Sequence, residues 1–309
     1  MIMYLRWYDT VLKDIDQYIL CHQPERGGAL LGPRGQAVVS HFVPDPQAAT
    51  TTVSYVPSAA LGVAVRQLET QEAVEYKGII HSHPSSLAQP SGPDLVEFGE
   101  QLRVNPHLGW FIAPIAVHGP GNPQAAHEII RDQGRIAVYA ARRPHPHEPG
   151  PVGLRRLRSG IIPSVFLVRA LSQTLCGTVV GPRDTQRSAE HAQAWHIALR
   201  DGRQVLVLIG PEVPDHAGPQ VVLLESSHEH RHLDLPWPST VSDRVRLRMW
   251  LVAAAHAINQ HPTRRSTLAV RQPPIPAPAR RVLKAYQAAS IPATTQRSPG
   301  WPYRTARRK

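Results

Sequence analysis

Between Tyr8 and Leu20 the apolar residues Val11, Leu12, Ile15, Tyr18 and Ile19 recur at the spacing of an amphipathic helix. Gly28–Leu31 and Ala37–Val43 then read as two short strands around the turn residues Gly32-Pro33-Arg34-Gly35. Past a loop with Pro44 and Pro46, the residues Leu61, Val65 and Leu68 predict a second helix that Ser58 can cap. The run Tyr76-Lys77-Gly78-Ile79-Ile80 predicts a buried strand over Lys77–His81 that ends in polar residues. A third helix is expected from near Ser91, with Leu95, Phe98 and Leu102 on its inner face. Trp110–Val117 and Ile136–Ala141 are rich in strand formers, and Gly119–Pro123 is a turn. The fold class expected is α/β (α+β), a mixed sheet flanked by helices.

The stretch after Ala141, Arg-Arg-Pro-His-Pro-His-Glu-Pro-Gly-Pro-Val-Gly, is too rich in proline and charge for a core. The expected division is therefore a first domain over 1–142, a linker over 143–157 and a second, smaller α/β domain over 158–260. Within the latter, Ser164–Val180 mixes helical and strand character, Ser188–Leu199 looks helical, and Val205–Ile209 and Val221–Leu224 read as strands. Arg244–Ile258 is expected as a helix that exposes Arg244 and Arg248 and buries Val245, Met249 and Val252. Residues 261–309 form a Pro/Arg-rich tail with no means of burying itself.

Charge sharpens this division. The formal net charge is +11 over 309 residues. All of that surplus falls from Pro262 to Lys309, which holds 11 basic residues and no acid, so the rest of the chain is neutral. Such a tail could meet an acidic protein or nucleic acid, with Trp301 and Tyr303 placed to stack, although a solvated extension is the plainer reading. The apolar run Met249–Ala255 is far shorter than the roughly 20 residues a membrane span needs. Asp9, Asp14 and Asp16 interrupt the N-terminal segment, which does not read as a signal peptide. Two cysteines, Cys21 and Cys176, give no disulfide framework and suit a reducing cytoplasm. Both read more readily as small buried residues than as reactive thiols.

The chemistry gathers in His81-Ser82-His83-Pro84, followed by Ser91-Gly92-Pro93-Asp94. Alternate residues of a strand share a face, so His81 and His83 converge, and Asp94 in the first turn of the next helix can reach back to them. Two imidazoles and a carboxylate make a catalytic zinc set that leaves the fourth tetrahedral position open. Such a site also needs a base and an oxyanion donor. Glu25, ahead of the small-residue strand Arg26-Gly27-Gly28-Ala29-Leu30-Leu31-Gly32, suits the first role, and Ser91 suits the second. Ser91-x-x-Asp94 is equally a capping box, and the two roles are compatible.

These residues resemble the JAMM (MPN+/JAB) zinc metalloprotease signature: His-x-His-Pro, Ser-x-x-Asp at fixed offset, and a Glu seven residues before the glycine that closes a Gly-Ala-Leu-Leu-Gly strand. The resemblance spans about residues 8–142. It implies that His81, His83 and Asp94 bind one Zn2+ per chain, that Glu25 is the general acid/base, and that Ser91 steadies the tetrahedral intermediate. It further implies an isopeptidase or deubiquitinase-like hydrolase acting on a ubiquitin-like or sulfur-carrier modifier. The alternative is a non-catalytic module that binds a ubiquitin-like partner, with the tail as an adapter surface. Outside this region, His228-Glu229-His230-Arg231-His232 reads as an exposed loop, and the second domain carries no functional signal.

Overall fold

The computed structural model describes residues 4–22, 25–51, 55–84, 87–119, 127–142, 152–183, 193–213, 217–224, 230–238 and 241–261. In chain order the elements are β1 (Tyr4–Tyr8), α1 (Asp9–Ile15), β2 (Gly27–Pro33), β3 (Val38–Val39), β4 (His41–Pro44), β5 (Ala49–Thr50), β6 (Tyr55–Val56), α2 (Ala59–Gln71), β7 (Val74–His83) and α3 (Gly92–Val104). They continue with β8 (Phe111–Ile112), β9 (Ile115–His118), β10 (Glu128–Arg131), β11 (Gly134–Ala137), β12 (Tyr139–Arg142), β13 (Gly153–Arg156), β14 (Arg158–Ile162) and α4 (Ser164–Thr174). Last come β15 (Thr178–Arg183), β16 (Gln193–Ala198), β17 (Gln204–Ile209), β18 (Gln220–Leu224), β19 (His230–Leu233) and α5 (Asp243–Asn259). The chain divides into two units, Met1–Leu167 with Asp184–Gln193 and Ile209–Ala217, and Val168–Arg183 with Ala194–Leu208 and Gly218–Lys309.

In the first unit, β7 is the axis of a nine-stranded mixed sheet in the order β10-β11-β9-β7-β8-β12-β13, with β2 on its other edge and β4 beyond β2. Only β7–β8 and β7–β9 are parallel in this sheet. Paired on both edges, Val74–His83 is buried at every position but Glu75, its polar residues Lys77, His81, Ser82 and His83 included. Gly78 is required there: a Cβ would lie 1.9 Å from the Ile112 carbonyl oxygen. Helices α2 and α3, the latter through Phe98 and Leu102, close one face over Ala29, Leu31, Ile79, Phe111 and Ala141. Ser58 caps α2 by accepting from Leu61 N–H, and Ser91 caps α3 through a complete capping box with Asp94. The first predicted helix ends early as an α-helix; Asp16–Leu20 continues it as a π-helical turn. A separate parallel sheet, β14-β1-β3, completes the unit.

The expected linker over 143–157 does not hold at its C-terminal end. Gly153–Arg156 pairs with β12, and Arg158–Ile162 pairs with β1, so both belong to the first unit. An edge strand tolerates arginine because it is exposed, and β13 is exposed at every position. Residues 143–151 lie outside the described residues, as does the tail from 262 onward.

The second unit holds a five-stranded sheet in the order β15-β16-β17-β18-β19. Gln193–Ala198 is a strand paired with β15, where Ser188–Leu199 is expected to be helical; residues 188–192 lie outside the described residues. His230–Leu233 is a strand paired with β18, not a loop, while 225–229 lie outside the described residues. Helix α5 is rotated from its expected phase: Val245, Met249 and Val252 are 46%, 44% and 66% exposed. The buried stripe is instead Arg246, Trp250, Ala254 and Ile258. The large Trp250 ring decides the phase, and its Nε1 donates to the Pro219 carbonyl at 2.9 Å. Cys21 and Cys176 are both exposed, contrary to expectation, because each sits just past a helix end rather than on its inner face. Among the described residues, no helix is long and apolar enough to cross a membrane.

Candidate metal centre

The C-terminal end of β7 and the first turn of α3 meet at three side chains. His81 Nε2 lies 3.3 Å from Asp94 Oδ1, and His83 Nε2 lies 3.3 Å from Asp94 Oδ2. The two Nε2 atoms are 2.9 Å apart. A tetrahedral ion with bonds of about 2.0–2.1 Å spaces its ligand atoms about 3.3 Å from one another. These pairwise separations, the Asp94 ones to its two different oxygens, are close to that spacing, and the three side chains are the only cluster of this kind among the described residues. Both imidazoles are nearly buried, and two neutral nitrogens with one carboxylate oxygen suit zinc.

Each donor is oriented from behind. His83 Nδ1 lies 3.1 Å from the Leu87 carbonyl oxygen. A carbonyl can only accept, so Nδ1 carries a proton, and in the neutral ring this leaves Nε2 with the lone pair that a metal ligand needs. The ring of Tyr55 stacks on His81, with centroids 5.8 Å apart and planes within 9°. Gly27, opposite His81 in the β2–β7 register, leaves room for that ring; a Cβ there would lie 2.7 Å from it. The buried Asp45 accepts from Tyr55 Oη at 3.2 Å and from Ser58 N–H at 2.7 Å. One carboxylate thus holds both the stacking ring and the start of α2.

Burial opposes ionisation of Asp94, but hydrogen bonds from His81 and His83 outweigh it and hold the carboxyl well below the usual carboxylate range. Burial pushes His81 down, towards the neutral form that ligates metal. Burial acts the same way on His83, but the Asp94 carboxylate prevails and raises it.

Glu25 is 6% exposed. Strand alternation from Gly27 puts it on the face of His81 and His83. Burial pushes its carboxyl up; His83 draws it down and Asp94 reinforces the rise. Ser91 is engaged with the ligand carboxylate: its hydroxyl donates to Asp94 Oδ2 at 2.7 Å, and its backbone N–H donates to the same oxygen at 2.6 Å. All five residues singled out in the sequence therefore lie at one place, with Ser91 as the cap and orienting partner of Asp94.

Ser82, Tyr55 and Asp45 were not recognised from the sequence. Ser82 lies between the two ligands and faces away from them. Its N–H donates to Arg26 O at 2.8 Å, while Arg26 N–H donates to its hydroxyl at 2.9 Å, pinning the segment that carries Glu25 to the ligand strand. Its position between the histidines was the available signal. Asp45 and Tyr55 gave none, because their role depends on contacts made only in the tertiary structure.

Residues 12–128, which hold all five site residues, match the family of prokaryotic homologs of the JAB domain. No curated protein matches the chain. Among solved structures, a protein of Desulfitobacterium hafniense known from a solution structure is similar at 14% identity and a TM-score of 0.35, over 52% of this chain and 93% of that one. A JAB1/MPN domain protein from Archaeoglobus fulgidus is similar at 18% identity and a TM-score of 0.22, over 36% of this chain and 77% of that one. Over residues 12–128, less than half of the chain, this protein is thus similar to the prokaryotic homologs of the JAB domain.

Proposed function

We propose that this JAB-type domain is a zinc-dependent hydrolase of amide or isopeptide bonds that releases or trims a ubiquitin-like or sulfur-carrier modifier in the cytoplasm. The observation that carries the reading is the convergence of His81, His83 and Asp94, close enough together to hold one ion, beside the buried Glu25. His81 Nε2, His83 Nε2 and one Asp94 oxygen would hold the ion. When bound, zinc supplies Lewis acidity to a carbonyl oxygen and lowers the pKa of water towards about 7.

Glu25 is suited to accept a proton from the attacking water and to deliver it to the leaving amine. Its raised pKa brings it nearer to the working pH, as proton transfer in both directions requires. Asp94, held ionised, keeps its charge available as a ligand. Ser91 orients that carboxylate, and its hydroxyl can serve an oxyanion only when its bond to Asp94 is released. The intact donor set favours turnover over a binding-only role. Among the expected partners, the modifier follows from the family reading. An acidic or nucleic-acid partner for 262–309 rests on charge alone.

The test is metal analysis of the purified chain and of His83→Ala, with cleavage of a modifier conjugate by wild type and Glu25→Gln. About one zinc per chain, lost in His83→Ala, with cleavage lost in Glu25→Gln, supports the reading. Unchanged cleavage in Glu25→Gln refutes it.

A further inference from the structure

The Leu87 carbonyl that sets the His83 tautomer belongs to a loop that must itself be held. Leu87 N–H donates to Pro84 O at 3.0 Å, which closes the turn after the ligand strand. The next carbonyl, that of Ala88, accepts from Tyr139 Oη at 2.8 Å. Tyr139 is 3% exposed; it packs with Ile115, Val117 and Ala137 beneath Ala88, on the sheet face that carries His81 and His83. Arg156 is its partner across the β12–β13 pair, and the guanidinium charge opposes the rise that burial gives the Tyr139 pKa. A carbonyl can only accept, so the Tyr139 hydroxyl gives its proton to Ala88. A positive charge on that side strengthens the hydroxyl as a donor.

We propose that Tyr139 is a positioning residue for the metal centre: its hydroxyl, with Arg156 as its cross-strand partner, clamps the 87–88 loop so that the Leu87 carbonyl holds His83 as a metal ligand. This inference rests on the zinc reading above. Tyr139 and Arg156 both lie beyond residue 128, outside the span that matches the family. The site therefore draws support from strands that follow that span, including one in the stretch first taken for a linker.

The experiment measures Zn2+ affinity of the full chain by competition with a chromophoric chelator, and the absorption bands of the Co2+-loaded chain, for wild type and Tyr139→Phe. Phenylalanine keeps the packed ring and removes only the hydroxyl. Zn2+ affinity is expected to fall on the order of tenfold, near the low end for outer-shell partners, with altered Co2+ bands. Melting of the metal-free chain is the control. A variant that melts lower without metal, yet binds Zn2+ as wild type with unchanged Co2+ bands, has lost only a structural bond, and the proposal is overturned. If wild type itself binds no metal, it is the zinc reading that fails. Should Tyr139→Phe not fold, Arg156→Ala at an exposed position carries the same test, with weaker Zn2+ binding expected and wild-type binding overturning the proposal.

Discussion

Ser82→Ala is expected to separate metal binding from catalysis. The hydroxyl is 2% exposed and accepts the Arg26 N–H at 2.9 Å, immediately after Glu25. Removing it forfeits one hydrogen bond, worth about 1 kcal/mol net, and leaves a partly buried N–H without that acceptor, for a total of about 2 kcal/mol. For a unit of this size that is a fall in melting temperature of about 4–8 °C, measured by calorimetry in chelator. Because Ser82 points away from the ligands, Zn2+ affinity stays at the wild-type value. Glu25, released at its base, delivers less turnover, and hydrolysis of a modifier conjugate falls. A stability loss below about 0.5 kcal/mol would mean that the N–H finds another partner and the accounting is wrong. A fall in Zn2+ affinity alongside turnover would mean that Ser82 supports the ligand strand as a whole, and the selective role would be refuted.

Glu25→Gln retains Zn2+ and loses about 10²–10⁴-fold in turnover, as removal of a general base does, in single-turnover assays at neutral pH. Gly78→Ala forces a methyl into the Ile112 carbonyl and is expected to cost more than about 3 kcal/mol or to prevent folding, read by denaturant titration. Lys77→Met removes donors to Pro33 O and Gln36 O, each at 2.8 Å, and to Glu75, and costs about 2 kcal/mol at neutral pH. Burial opposes ionisation of Glu75, but the Lys77 hydrogen bond outweighs it and lowers its pKa. The stability this confers is complete above the unfolded value near 4.5 and disappears as pH falls through the folded value. The gap between wild type and Lys77→Met should accordingly narrow from about pH 5 downward in pH-dependent melts, and a constant gap would count against the pair.

Much of the centre was legible because its ligands are local. His81 and His83 obey the period of a strand, and Asp94 occupies the third position of a capped helix; both patterns survive without knowledge of what packs around them. Glu25 was readable through its fixed offset from a small-residue strand, since the β2–β7 register carries Gly27 to His81. Where periodicity competed with packing, packing prevailed. Along α5 the aliphatic stripe of Val245, Met249 and Val252 was as regular as the buried one, yet the Trp250 ring and its bond to Pro219 turned the helix the other way. Proline and arginine around 143–157 looked like a linker because composition does not reveal whether an exposed residue lies on a strand.

By itself, then, the sequence determined the ligand types, their spacing and the elements that bear them, because each depends on backbone periods of two or 3.6 residues. Only the tertiary structure decided what holds them: Ser82 against Arg26, Tyr55 on His81 under Asp45, and Tyr139 beneath the Leu87–Ala88 loop. These partners lie 10 to 56 residues apart in the chain, and no local pattern encodes a meeting that exists only once the sheet has formed.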